Sequence, residues 1–169
     1  MDPIRLACVR YLNTAPLIHG LDRLQGLTLL PSAPAEIAGM VAELRSAGAD
    51  IDFHDGCDAA VNRHVGAAAY RIAQEALTNA LKHAPDAHVD VTLSCTASQL
   101  HVCVVDDGAS GGPRSPASGG RGIPGMTERA KVLGGHLQAG PTAPHGFAVR
   151  ASLPLGQTTS GQVHTQVTT

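Results

Sequence analysis

An α/β fold, of the α+β kind in its order of elements, is what this sequence predicts, and three observations predict it. Ala67 to Ala84 is a long Ala- and Leu-rich stretch with a broad apolar face, and Pro85 stops it. His88 to Cys95 and Gln99 to Val105 alternate apolar and polar residues, and the short link between them suggests an antiparallel hairpin. Ile123 to Leu133 returns to helical spacing, and Gly135 to Gly140 and Phe147 to Leu155 then read as two further strands. The order is helix, hairpin, helix, two strands.

Ahead of these elements, Ile4 to Arg10, Pro16 to Leu24 and Leu27 to Leu30 read as a small βαβ unit. Ile37, Met40, Val41 and Leu44 give Glu36 to Ala47 a helical spacing, with Gly48 where a C-cap would fall, and Ile51 to His54 is a short strand. Ala109 to Gly120 is a Gly, Ser, Pro and Ala run expected to form a flexible flap. Gly156 to Thr169 is polar and aperiodic, and is expected to be a disordered tail.

With 169 residues there is room for one domain of ordinary size and an appendage. A formal charge of -2 and an aromatic content of 2% leave neither a basic field nor stacking rings, which argues against a nucleic-acid partner. Cys8, Cys57, Cys95 and Cys103 are widely spaced without a CxxC pair, so reduced thiols are expected rather than disulfides or a zinc site. No run reaches the roughly 18 apolar residues of a membrane span, and no basic n-region opens the chain. The expectation is a cytoplasmic chain that does not insert into a membrane. The nine histidines are scattered, which does not favour a metal cluster.

Three groups carry candidate chemistry. Glu75 and Asn79, four apart on the long helix, project from one face, and a carboxylate beside an amide oxygen suits Mg²⁺, which takes few protein oxygens plus phosphate oxygens and water. Asp106 and Asp107 end a strand before Gly108, where a carboxylate can accept the adenine amine. Gly120, Gly122 and Gly125 surround the start of the second helix, whose free N–H groups favour phosphate, and Arg121 adds a cation. Taken singly, these are also a solvated helix face, an Asp-Gly turn and a flexible loop. Their order along the chain is what makes them a nucleotide site.

In that order they carry a resemblance. Tyr70-Arg-Ile-Ala-Gln-Glu75-Ala-Leu-Thr-Asn79-Ala-Leu-Lys-His83-Ala resembles the N box of the ATP-binding domain of bacterial sensor histidine kinases of the nitrate-sensor and DesK-like branch. Val105 to Gly108 resembles the G1 box, Gly120 to Arg129 the G2 segment, and Leu133 to Gly140 with Phe147 to Leu155 the closing strands. The resemblance runs from about Val41 to Leu155, and implies a Bergerat-type two-layer sandwich, a mixed sheet with helices on one face. It implies Asn79 as Mg²⁺ ligand, Glu75 as its neighbour and water-orienting base, and Asp106 as the adenine reader. Gly108, Gly120 and Gly122 become hinges and phosphate contacts, while His83, Arg121, Ile123, Gly125 and Met126 complete the nucleotide surround. Ala109 to Gly120 becomes the ATP lid, although Ala109-Ser110 stands where the family commonly has a second glycine.

The family's phosphoacceptor helix has no counterpart here. His54-Asp55 has the dipeptide but lies on a strand-like segment, and His19 precedes Gly20. Separately, Arg10 to Leu21 and Pro31 to Ala38 resemble the N-terminus of the chorismate dehydratases of menaquinone biosynthesis, which gives an organisation of appendage 1–40, ATP-binding domain 41–155 and tail 156–169. The function implied is binding of ATP with Mg²⁺ and transfer of the γ-phosphate to a histidine on a dimerisation and phosphoacceptor domain, which serves a response regulator. The alternatives are a non-catalytic ATP-dependent interaction module and a small-molecule-binding fragment built on the N-terminal segment.

Overall fold

The long helix starts earlier than its apolar periodicity indicates, because its first turn is set by a cap rather than by core residues. Asn62, in extended backbone, accepts the Val65 N–H at 3.0 Å, and the helix then runs Arg63–His83. Lys82 and His83 sit in its last turn, where positive charge complements the helix dipole. In a computed structural model that describes residues 33–108 and 122–156, this helix is α2 of α1 (Ala33–Ser46), β1 (Ile51–Gly56), α2, β2 (Val89–Cys95), β3 (Gln99–Asp106), α3 (Gly122–Val132), β4 (His136–Pro141) and β5 (Phe147–Pro154). The N-terminal βαβ expectation, the flap and the tail beyond Gly156 lie outside the described residues.

Five strands form one sheet in the order β1-β2-β3-β5-β4. β1 and β2 are parallel, joined by the crossover through α2, and every other pair is antiparallel, including the expected β2–β3 hairpin. Val89, Val91 and Leu93 on β2, Leu100, Val102 and Val104 on β3, and Val149, Ala151 and Leu153 on β5 share the buried face. They meet Ile37, Val41, Ile72, Leu77, Met126 and Ala130 from the helices in one cluster. Fully burying each large aliphatic side chain contributes roughly 1.5–3 kcal/mol. The result is two layers, a mixed sheet and a layer of helices over one of its faces.

The anticipated boundary at residues 40 and 41 falls inside α1, which runs through it unbroken. Ala33, Ile37 and Met40 before it are as buried as Val41 and Leu44 after it. A Cβ on Gly66 of α2 would stand 3.1 Å from the Ala33 Cβ, so the two helices approach closely where α1 begins. The described packing unit therefore includes the residues from Ala33 onward.

Cys57 and Cys95 correct the reduced-thiol expectation: they are disulfide-bonded, with Cα atoms 4.7 Å apart at a sequence separation of 38. The cause is register. Gly56 is aligned with Ser94 at the end of the parallel β1–β2 ladder, so the next residue of each strand faces the other. Cys103 is a free, half-buried thiol, and Cys8 lies outside the described residues.

At the opposite end of the same two strands His88 joins β2 to β1. Its Nδ1 lies 3.2 Å from Asp50 and its Nε2 3.6 Å from Asp52, which also pairs with Arg45 at 3.1 Å. The hydrogen bond to Asp50 raises the His88 pKa above its ordinary value; slight burial opposes this, and the charges of Asp50, Asp52 and Asp107 reinforce it.

Two outcomes are expected. Cys95→Ser should lower stability by about 3–4 kcal/mol, the loop-closure estimate for a ring of this size, while the amide spectrum of the core keeps its dispersion; a loss under about 0.5 kcal/mol in denaturant melts would count against the cross-link. Because the fold raises the His88 pKa, its contribution is present below the unfolded pKa and is lost as pH rises through the folded one. The difference in Tm between the parent chain and His88→Gln should shrink from about pH 6 to about pH 8, and a pH-independent difference would refute the linkage.

Candidate functional site

β3 delivers its last residue to the helix side of the sheet. Leu100, Val102, Val104 and Asp106 form the buried phase of the strand, and Asp106 is 3% exposed, the buried charged side chain among the described residues. A buried carboxylate requires hydrogen-bond donors, and the Gly108 N–H supplies one to its Oδ1 at 3.1 Å. The neighbouring Asp107 has a different task. Its Oδ1 accepts the His88 N–H at 2.9 Å and its own N–H donates to the His88 carbonyl at 3.1 Å, which clamps the end of β3 to the start of β2.

The turn after Asp107 is built for glycine. Gly108 has φ +88, and a Cβ there would run into the backbone carbonyl of His145. Gly146 is pressed in the same way against the carbonyl of Asp106. The β4–β5 loop, residues 142–146, thus backs the acid-bearing turn. Sequence reasoning singled out Gly108 and missed Gly146, whose signal was a lone glycine between His145 and the strand residue Phe147.

On the helix layer, Glu75 and Asn79 lie half-buried on α2, while Ala76, Leu77 and Ala80 turn into the core. Gly122 opens α3 directly against them. A Cβ on Gly122 would stand 2.5 Å from Glu75 Oε1 and 3.2 Å from Asn79 Nδ2. The N-terminus of α3, with its unsatisfied N–H groups, is therefore brought to the carboxylate and amide pair.

The other expected residues divide. His83 is half-buried at the end of α2, Ile123 is 38% exposed, and Gly125 is half-buried with open space where a Cβ would be. Met126 is 1% exposed and belongs to the core cluster. Gly120 and Arg121 lie outside the described residues. A concavity of about 220 Å³ lies on the other face of the sheet and includes none of the expected site residues. Among the described residues no group of three or more His, Cys, Asp or Glu converges on a metal position, and no helix is long and apolar enough to cross a membrane.

Comparison with known proteins places this arrangement. The sensor histidine kinase YxjM of Bacillus subtilis (strain 168) is 41% identical over 93 residues, which is 55% of this chain and 22% of that protein. The signal transduction histidine-protein kinase/phosphatase DegS of Brevibacillus brevis is 32% identical over 109 residues, 64% of this chain and 28% of that protein. The chain thus spans about a quarter of the length of these relatives. The histidine kinase domain of the Erythrobacter litoralis EL346 blue-light activated histidine kinase shares the fold, with a TM-score of 0.60 at 21% identity over 90% of this chain and 73% of that one. The family described as histidine kinase-, DNA gyrase B-, and HSP90-like ATPase matches residues 64–157, more than half of the sequence, and the chain belongs to that family.

Proposed function

We propose that this chain binds ATP with Mg²⁺ as the catalytic domain of a two-component sensor histidine kinase and donates the γ-phosphate to a histidine supplied by another domain or chain. The observation that carries the reading is the meeting of α2 and α3: the glycine that opens α3 abuts the one carboxylate and amide pair that lies four residues apart on α2. Family membership and the kinase relatives support the same chemistry.

Asp106 accepts the adenine amine from a buried carboxylate held by the Gly108 N–H. The N–H groups at the start of α3, with Gly120 and Arg121 before them, receive phosphate oxygens. Asn79 and Glu75 offer hard oxygen donors beside that helix mouth, a donor set that fits Mg²⁺ with the remaining ligands drawn from the nucleotide and water. When bound, the cation neutralises phosphate charge. Glu75 is also placed to accept a hydrogen bond from water or from an incoming imidazole. In the transfer, the acceptor imidazole nitrogen forms the new N–P bond as the bond from the γ-phosphorus to the β–γ bridging oxygen breaks, leaving ADP; positioning supplies most of the acceleration.

The partners follow from this chemistry: a dimerisation and phosphoacceptor domain that brings the histidine, and a response regulator downstream. The reading places the domain in the cytoplasm, where ATP is available. A reducing cytosol would hold Cys57 and Cys95 as a dithiol, and the uninterrupted sheet core then has to carry the fold without the cross-link.

Asp106→Asn, which keeps shape and removes charge, should weaken ATP binding by ~10- to 100-fold in calorimetry, and unchanged affinity would overturn the adenine-reading role. Asn79→Ala should leave the circular dichroism spectrum intact while reducing the Mg²⁺-dependent part of the affinity, and phosphotransfer to an added dimerisation domain, by ~10- to 100-fold. Full transfer by that variant would reject the assignment of Asn79.

A further inference from the structure

The alternation that sends Asp106 inward sends His101 and Cys103 of β3 to the opposite face of the sheet, away from the described helices. Strand register aligns His101 with Ser152 and then His136, and Cys103 with Arg150 and then Gln138, across β3, β5 and β4. These six side chains line a concavity of about 220 Å³. At ~30 Å³ per water that is room for a handful of waters, and drug-sized ligands ordinarily occupy ~300 Å³ or more. A nucleotide does not fit; a tetrahedral oxyanion does.

The chemistry of the lining is one-sided. It contains a guanidinium, two imidazoles, a hydroxyl, a carboxamide and a thiol, and no carboxylate. Among the described residues no carboxylate is ion-paired with Arg150, and its positive charge acts on the Cys103 thiol. Burial pushes that thiol's pKa up against the opposing charge of Arg150, and the Asp90 carboxylate, which is outside the lining, adds to the rise.

His101 Nδ1 lies 2.9 Å from Ser152 Oγ, and this contact leaves a donor for a ligand whichever way it runs. If the serine hydroxyl donates, the neutral imidazole carries its proton on Nε2; if Nδ1–H donates, the hydroxyl proton is free. Arg150 adds a planar fork suited to two oxygens of one anion.

We propose that this outer-face pocket, centred on Arg150 with His101, His136, Ser152 and Gln138, is a binding site for a small phosphate-type oxyanion, separate from the nucleotide site. Among the described residues it is formed wholly by β3, β4 and β5, apart from the elements that hold the nucleotide site. Free phosphate and a small phosphate monoester present the same three or four oxygens to it.

Titration of the full, isotope-labelled chain with inorganic phosphate, and in a parallel arm with glycerol 3-phosphate, tests this through the ring-proton shifts of His101 and His136. Saturable shifts with a Kd on the order of millimolar are expected in at least one arm, and the arm that binds tighter identifies the source. Arg150→Gln should weaken binding by ~10-fold. The amide resonances of Gly122 and Ile123 at the start of α3 should not titrate with the same Kd, which separates this pocket from phosphate at the nucleotide site. His136→Ala, on an exposed position of an edge strand, provides an independent loss of affinity if Arg150→Gln perturbs the sheet. Shifts that fail to saturate in both arms, or that persist undiminished in both pocket variants, would overturn the proposal.

Discussion

The molecule depends on the phase of its central strand. β3 has β2 on one side and β5 on the other, and both ladders extend over almost its whole length. Its side chains alternate without a bulge, so one choice of register decides which residues enter the core and which meet solvent. A slip of one residue would bury His101 and Cys103 and expel Leu100, Val102 and Val104, together with Asp106. Loss of those three aliphatic burials alone would cost about 4–9 kcal/mol, comparable with the whole stability of an ordinary domain. The placement of the acid at the candidate site is thus enforced by hydrophobic residues that never touch a ligand.

Burying Asp106 is tolerated because the strand ends there. A carboxylate in mid-strand would face only apolar neighbours, whereas at the tip the turning backbone presents the Gly108 N–H. That turn in turn rests on the β4–β5 loop, since Gly108 and Gly146 admit no Cβ against His145 and Asp106. The helix layer meets the same end of the sheet through a different device. The buried face of α2 is built largely from Ala69, Ala73, Ala76 and Ala80, small side chains that let a helix sit close to its neighbours. The half-buried edge bearing Glu75 and Asn79 then lies at the seam with α3, where a side chain at position 122 would displace the Glu75 carboxylate.

Where period and chemistry coincide locally, the sequence was readable. The hairpin and the shared helix face of Glu75 and Asn79 depend on spacings of two and four residues, and the structure has both; Asp106, which the resemblance singled out, falls in the buried phase of β3. Features set by tertiary contact were not readable. The first turn of α2 contains Arg63, His64 and Gly66 and carries little periodicity; its cap and the Ala33 contact define it. The Cys57–Cys95 bond joins the residue after β1 to the last residue of β2, across a 21-residue helix in the chain, and only the parallel register of β1 and β2 aligns them. Gly146 matters because of the Asp106 carbonyl behind it, which no local pattern reveals. The approach of Gly122 to Glu75 is of the same kind, although glycine at a helix mouth was itself a signal.

The two faces of the sheet also limit how its sites can communicate. Asp106 and His101 are five residues apart on β3, about 17 Å along the strand at ~3.4 Å per residue, and they project to opposite sides. Arg150 is nearer, since it is aligned with Cys103, three residues or about 10 Å along the strand from Asp106. The path between them runs through a packed apolar layer and a hydrogen-bonded backbone, where salt screens charges little. Mechanical coupling between the faces would run through twist or register of β3 and β5. Those strands pair over all eight residues of β3, from Gln99 to Asp106, so a displacement at one end is resisted by the whole ladder. The construction favours two sites that are mechanically independent while sharing one strand.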